Sequence, residues 1–313
     1  MEDYTFHETD AGQTKAFEFE PTLFHNLDFL FLKSSTGWKW YYGLRSRTSK
    51  VAISLYLYVR DGSAHSSFQS PYGTVECSHD ILPEIVFQFL EFVEGRLRAG
   101  EVNKIVIKNQ PFHYNDRKNS LLETFLFNLG YNVVDAEVGA VRFVASPFED
   151  ELNRLETRQL KKCLESGLTF RWHAMEDLEV IYSFIHRCRQ LKGYTLSMTL
   201  EQLMRDVERF PQNYLLLSVQ KEEAIVAASI AVRVSSDILY NFYADHDRAY
   251  DAISPVVMVV KALYEYCLEQ NVKMLDMGTS AVNGKPNFGL LNLKMRLGGI
   301  PSTKLTFEKL LRV

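Results

Sequence analysis

One order of elements occurs twice along this chain, and that recurrence restricts its fold more than any other feature. In the first pass Ser70-Pro71 opens an apolar helix near 81–97, then come the strand Lys104 to Lys108, a short helix near 120–129 and the pair Leu129-Gly130. In the second, Ser254-Pro255 opens a helix that reaches about Glu269, followed by the strand Lys273 to Met277, a short helix and Leu297-Gly298. From Lys104 to Gly130 is 26 residues and from Lys273 to Gly298 is 25, so the halves keep nearly one register. The pattern indicates two copies of one α/β unit, with ligand chemistry expected in a cleft between the copies.

The length of 313 residues exceeds what one hydrophobic core usually organises, so two domains are expected. Ser146-Pro147 closes the first pass, which places an N-terminal domain at 1–148 and a C-terminal domain at 149–313. With 35 basic and 39 acidic residues the net charge is −4, which draws the chain to neither nucleic acid nor an anionic membrane; no DNA partner is expected. Hydrophobic residues make up 46%, enough for two cores. Cys77, Cys163, Cys188 and Cys267 lack metal-ligand spacing, so neither a zinc site nor a disulfide framework is expected. The acidic start, Met1-Glu2-Asp3-Tyr4, does not read as a signal peptide, and no apolar run is long enough for a membrane span. A cytoplasmic, soluble protein is the expectation.

Residues 1–22 are polar and read as an irregular lead-in. Strands are expected near 37–44, 51–60 and 64–68, forming an antiparallel meander, and a closing pair near 132–134 and 140–144. The second half begins with a charged helix over 151–165 that Gly167 terminates, and continues with helices over 178–191 and 199–210, the latter capped by Thr199. Strands at 214–220, 224–234 and 237–244 complete a second meander.

That order resembles the GNAT acyltransferase fold, and within it the tandem FemABX and BioF2-like acyltransferases. The resemblance rests on the basic helix from Arg154 to Gly167, on Tyr240 to Asp245 with Ser254-Pro255, on Leu275-Asp276-Met277-Gly278, and on Leu293-Lys294 with Leu297-Gly298-Gly299. Ser70-Pro71-Tyr72-Gly73 is similar to the Pro-Tyr-Gly stretch of the FemABX first domain, which nominates Tyr72 as a substrate contact. It implies an α/β (α+β) protein of two tandem GNAT-like domains, each a mixed, mostly antiparallel sheet flanked by helices. It also implies an acyl-CoA or aminoacyl-tRNA donor, a small-molecule amine or amino-acid-like acceptor, and no tightly bound cofactor, acyl-CoA serving as co-substrate.

Three residues are candidate catalytic groups. On a wheel turned by about 100° per residue, Lys294 falls between Leu290 and Leu291 on the apolar side of its helix, where a lysine must snorkel, pair with an acid or face a cleft. The resemblance implies that a lysine in this helix holds substrate. Asp276 sits at the carboxyl end of its strand, opposite Leu275 and Met277, placed either to take a proton from an attacking amine or to bond the following loop. Tyr240, Asn241 and Tyr243 lie on the strand that presents backbone donors in GNAT enzymes, with Tyr240 expected opposite the other two and Tyr243 the candidate acid; core packing is the competing reading.

The loop from His246 to Ser254 occupies the place of the glycine-rich pyrophosphate cradle of acetyl-CoA-dependent relatives. It holds no glycine, and Asp247 and Asp251 add negative charge; Arg248 and Ser254 are its candidate contacts. Arg154 and Arg158, with Lys161 and Lys162, form a basic stripe suited to a phosphate-bearing substrate or simply to solvent. The leading expectation is an N-acyltransferase acting without a metal, in which the amine attacks directly, Asp276 is the base and Lys294 opposes developing negative charge. The alternatives are an aminoacyl-tRNA-dependent FemABX-type peptidyltransferase and a catalytically inactive binding protein of the same fold.

Overall fold

The computed structural model describes residues 4–282 and 284–311. The chain divides into two compact units, one of residues 1–137 with 302–313 and one of residues 138–301. The first unit contains β1 (Tyr4–Asp10), α1 (Leu27–Lys33), β2 (Trp38–Arg45), β3 (Lys50–Arg60), β4 (Ser63–His65), β5 (Glu76–Cys77), α2 (Pro83–Ala99), β6 (Lys104–Lys108) and α3 (Asp116–Asn128). β7 (Asn132–Phe143) carries the chain into the second unit, which continues with α4 (Arg154–Glu165), β8 (Leu168–His173), α5 (Leu178–Gln190), α6 (Leu200–Arg209), β9 (Tyr214–Lys221), β10 (Ala224–Arg233), β11 (Ile238–His246), α7 (Val256–Glu269) and β12 (Met274–Thr279). The hairpin of β13 (Ala281–Val282) and β14 (Lys285–Pro286), then α8 (Phe288–Arg296), precede the last strand, β15 (Ile300–Leu310), which lies beside β6.

In the first unit the strand order is β1-β2-β3-β4-β6-β15, antiparallel except for β4 beside β6. In the second it is β7-β12-β11-β10-β9-β8, antiparallel except for β11 beside β12. Each parallel ladder is only three pairs long: Ser63↔Lys104 to His65↔Val106, and Ile238↔Met274 to Tyr240↔Asp276. The core of the second unit forms around α7, whose Val257, Val259, Leu263 and Tyr264 pack against Leu217, Val226 and Leu275 of the sheet. In the first, Phe89, Leu90 and Val93 of α2 cover Ile53, Leu55, Ile105 and Ile107. Each such fully buried aliphatic or aromatic side chain contributes roughly 1.5–3 kcal/mol.

Local signals set most boundaries. Thr199 caps α6 in a full capping box with Gln202, and Pro83 stands in the first turn of α2. Three segments depart from the sequence expectation. Tyr4–Asp10 is a strand paired along β2, held because Phe6 packs on Phe89 and Phe92, so the lead-in is not irregular. The expected closing pair of strands is one continuous β7, because Gly139 makes no turn: it lies flat against β12, where a Cβ would come within 2.8 Å of the Gly278 carbonyl oxygen. The short edge strand β8 lies outside the expected strands although Leu168, Phe170 and Trp172 alternate with Thr169, Arg171 and His173; Thr169 to Trp172 are exposed.

Candidate active site

In the second unit β11 and β12 stop pairing at Tyr240↔Asp276, yet β11 continues to His246 against β10 alone. Among the described residues no strand pairs with the β12-facing edge of Asn241 to His246. Backbone groups at such a divergence need side chains, water or a ligand as partners.

α8 supplies one of those partners. Lys294 is 7% exposed, and its Nζ donates to the carbonyl oxygens of Gly278 at 2.7 Å and Thr279 at 2.8 Å, just beyond the last parallel pair. Burial pushes its pKa down to about 7; Asp276 pulls it back up, and the Arg189 guanidinium adds to the fall. Gly299 fixes the approach of α8: its N–H donates to the Lys294 carbonyl at 2.9 Å, and a Cβ would meet the Met277 Cε at 2.3 Å and that same carbonyl oxygen at 2.6 Å. Gly278, at φ +78°, holds the left-handed turn from which its carbonyl reaches Lys294.

Asp276 is 4% exposed, and its Oδ1 accepts the Gly278 N–H at 2.6 Å. The parallel register sets it beside Tyr240, whose ring edge lies 3.4 Å from where a Gly278 Cβ would stand. A β-bulge at Phe242, between the pairs Ile230↔Tyr243 and Ala231↔Asn241, breaks simple alternation. Tyr243 therefore shares the face of Tyr240, and Asn241 points to the other side, where its Oδ1 accepts the Ser229 hydroxyl at 2.8 Å. The expectation that Tyr240 opposes Tyr243 is thus corrected by one extra residue in the strand.

Tyr243 is buried, which raises its pKa, and its Oη lies 2.6 Å from Ser197 Oγ and accepts the Met198 N–H at 3.0 Å. It ties the segment between α5 and α6 to the sheet. Beside it stands a group that pattern reasoning missed: the Arg189 Nη2 donates to the Ala244 carbonyl at 3.1 Å, and Arg189 and Lys192 both pair with the buried carboxylate of Asp245. The available signal was an acid inside the apolar run of β11 and two cations, three residues apart, at the end of α5. A second missed group is Arg142, wholly buried on β7, which donates to the Leu297 and Phe148 carbonyls at 2.9 and 2.7 Å and lies over the Tyr264 ring at 4.2 Å. It clamps the loop after α8 to the sheet.

The remaining candidates do not join this cluster. Arg154 and Arg158 are exposed on α4. Arg248 is exposed in a single turn of 3-10 helix, and Ser254 sits at φ +50° just before α7. Five amides of that loop are taken within it: Ala249 donates to Asp247 Oδ1, Tyr250 to the Asp247 carbonyl, Asp251 to Arg248, Ile253 to Tyr250, and Ser254 to Tyr250 and Asp251. Tyr72 belongs to the first unit, buried with its ring edge-on to Phe24 and Tyr114. Among the described residues no cluster of His, Cys, Asp and Glu is arranged to hold a metal ion.

No family model and no curated protein matches this sequence. Solved structures do match its fold. FemX superposes with a TM-score of 0.64 at 12% identity, over 89% of this chain and 90% of that one. L-PGS from Bacillus licheniformis gives 0.56 at 12% identity, over 88% and 84%, and a tandem GNAT protein from the clavulanic acid biosynthesis pathway gives 0.51 at 10% identity, over 88% and 83%. At these identities the likeness is one of fold. The chain shares the fold of these structures, a mixed α/β architecture with mostly antiparallel sheet. Among the described residues no helix is long and apolar enough to cross a membrane.

Proposed function

We propose that this protein is an N-acyltransferase that moves an acyl or aminoacyl group from an activated donor to an amine, with its chemistry at the divergence of β11 and β12. The observation that carries the reading is the buried Lys294 amine, anchored on Gly278 and Thr279 beside the Asp276 carboxylate where the ladder ends. Two N–H bonds of an ammonium satisfy these two carbonyls and leave the third for an oxyanion. The acceptor amine attacks the donor carbonyl carbon, and the C=O electron pair moves to oxygen, which Lys294 and backbone N–H groups of β11 oppose. Asp276 takes the amine proton, directly or through water. Collapse of the tetrahedral intermediate expels the thiolate of a thioester or the ribose oxygen of an aminoacyl ester, which takes up, directly or through water, the proton that Asp276 accepted from the amine. Tyr243 supports this role as the anchor of Ser197 and Met198 rather than as an acid, since both bonds already engage its hydroxyl.

The two units are read as two copies of the fold, and the site as acting without a tightly bound cofactor. The self-bonded loop from Asp247 to Ser254 argues against a pyrophosphate cradle there, which favours either an aminoacyl-tRNA or an acyl thioester held mainly by its acyl end. Melting the protein and its Lys294→Ala variant with a series of acyl-CoAs and with charged tRNA tests the reading. A donor present at a hundredfold excess over its Kd stabilises the fold by about 2.7 kcal/mol. One donor that raises the Tm of the parent but not of the variant is the expected result; no shift with any of them refutes the proposal.

A further inference from the structure

The segment that leads into α2 leaves a crevice in the first unit. β5 is only two residues long, and after Cys77 the chain leaves the sheet for Ser78 to Leu82 before α2 begins at Pro83. Arg45 makes this wall rigid: its guanidinium donates to both carboxylate oxygens of Asp80, at 2.9 and 2.8 Å, and to Ser78 Oγ at 3.2 Å. The Ser78 N–H in turn donates to the Ala52 carbonyl at 2.8 Å. The first turns of α3 form the facing wall, joined to the other by Arg117 Nη1, which donates to the His79 carbonyl at 2.7 Å. The space between them, about 350 Å³ with its open mouth, has Cys77, Ile81, Val86 and Leu121 as its apolar lining and Arg117 and Lys118 as its cations.

Three acids flank these residues in sequence, and each is already matched. Glu76 accepts the Thr22 N–H at 3.1 Å and the Thr22 hydroxyl at 2.6 Å, Asp80 is held by Arg45, and Asp116 lies 3.0 Å from His113 Nδ1. Glu84, exposed in the first turn of α2, does not line the crevice. Lys118 is different: it is half-buried, and among the described residues no ion pair or hydrogen bond engages its ammonium. Its charge acts on the groups around it. Burial pushes the Cys77 thiol pKa up while Lys118, and after it Arg117, pulls it back; burial lowers the His25 pKa, Glu76 opposes that fall and Lys118 adds to it. With Arg117 tied to the opposite wall, the crevice offers one unmatched positive charge beside a short apolar floor. That combination suits a ligand with a single negative head and a small aliphatic body. A pyrophosphate would bring several charges to one free ammonium and leave the rest unpaired.

We propose that this crevice binds a small aliphatic carboxylate, its head on the Lys118 ammonium and its chain against Ile81, Val86 and Leu121. The site stands apart from the acyltransferase reading, because all of its residues belong to the first unit. Hexanoate is the probe, titrated into the full chain and followed by NMR of the Ile81, Val86 and Leu121 methyl groups. Saturable shifts of these methyls are expected, with a Kd of about 1 mM, the reach of one ion pair and a short buried chain. Binding should be at least about tenfold weaker in Lys118→Met, and as weak in the parent for the neutral hexanamide, since either change removes one charge-assisted contact. The variant should fold as the parent does, because no bond to Lys118 is lost. Cys77 supplies a second readout: the other three thiols are buried, so iodoacetamide in mildly alkaline buffer labels Cys77 first, and saturating hexanoate should slow that labelling in the parent but not in Lys118→Met. Absent shifts, shifts equal for hexanamide, binding that Lys118→Met leaves intact, or Cys77 labelling indifferent to saturating hexanoate overturns the proposal. Pyrophosphate that displaces hexanoate and binds more tightly would mark a phosphate site and equally refute the carboxylate assignment.

Discussion

Lys294→Met makes the burial of the amine measurable without a substrate. In the unfolded chain a lysine titrates near 10.4, and in the folded chain Lys294 is pushed down to about 7. Between those values the unfolded state binds more protons than the native one, so stability with Lys294 present rises with pH across the window from about 7 to about 10 and is least below it. At about 1.4 kcal/mol per pH unit, a window of roughly three units gives about 4 kcal/mol in all. Methionine keeps the apolar stem and removes both the titration and the donors, leaving the Gly278 and Thr279 carbonyls unmet at about 1–3 kcal/mol each. Near pH 6 the two effects offset and the variant should be within about 2 kcal/mol of the parent; at pH 9.5 it should be worse by about 3–4 kcal/mol more. Urea unfolding followed by circular dichroism at pH 6, 8 and 9.5 provides the comparison, because every other titrating group is common to both proteins. A difference that stays flat with pH would show that Lys294 is not held in a desolvated position.

Four further outcomes follow from the same geometry. Asp276→Asn removes the charge that holds the Lys294 pKa up, so NMR titration of the Lys294 Cε–Hε signals should find its midpoint lower than in the parent. Arg142→Met empties the bonds to Leu297 and Phe148 and should cost about 2–4 kcal/mol in urea unfolding, with part of the loss offset by not burying a guanidinium. Tyr243→Phe frees the Met198 N–H and should cost about 1–2 kcal/mol while accelerating exchange of that amide, where an unchanged rate would contradict the anchoring role. Gly299→Ala forces Met277 and the Lys294 carbonyl apart and should destabilise the fold by roughly 1–3 kcal/mol, measured as a lower denaturant midpoint.

Repeated spacing made the order of strands and helices legible because β6, α7 and β12 carry compact apolar runs between clear turn signals, and β6 falls on the expected residues. Lys294 was legible as a polar group on the apolar side of its helix, and Asp276 as an acid at the carboxyl end of its strand. What remained hidden was three-dimensional in origin. The bulge at Phe242 reverses a face without leaving any local mark, since no turn residue is needed to insert one extra position in a strand. Arg189 and Asp245 lie 56 positions apart in sequence, and neither is unusual in its own segment. Gly139 reads as a turn glycine, and only the approach of Gly278 explains why it sits inside a continuous strand.

The central claim, acyl transfer at the β11–β12 divergence, is tested most directly by donor turnover. Purified protein would be mixed with each of a series of acyl-CoAs and with charged tRNAs, with and without an amine acceptor mixture, and released thiol or uncharged tRNA would be quantified beside the acylated amine by mass spectrometry. The account predicts release from one donor class that depends on the amine, with one amide formed per donor consumed, and a drop of at least about a hundredfold in Lys294→Ala, comparable to the loss of an oxyanion donor. Turnover that Lys294→Ala leaves intact, or no donor consumed at all by a folded protein, would contradict it.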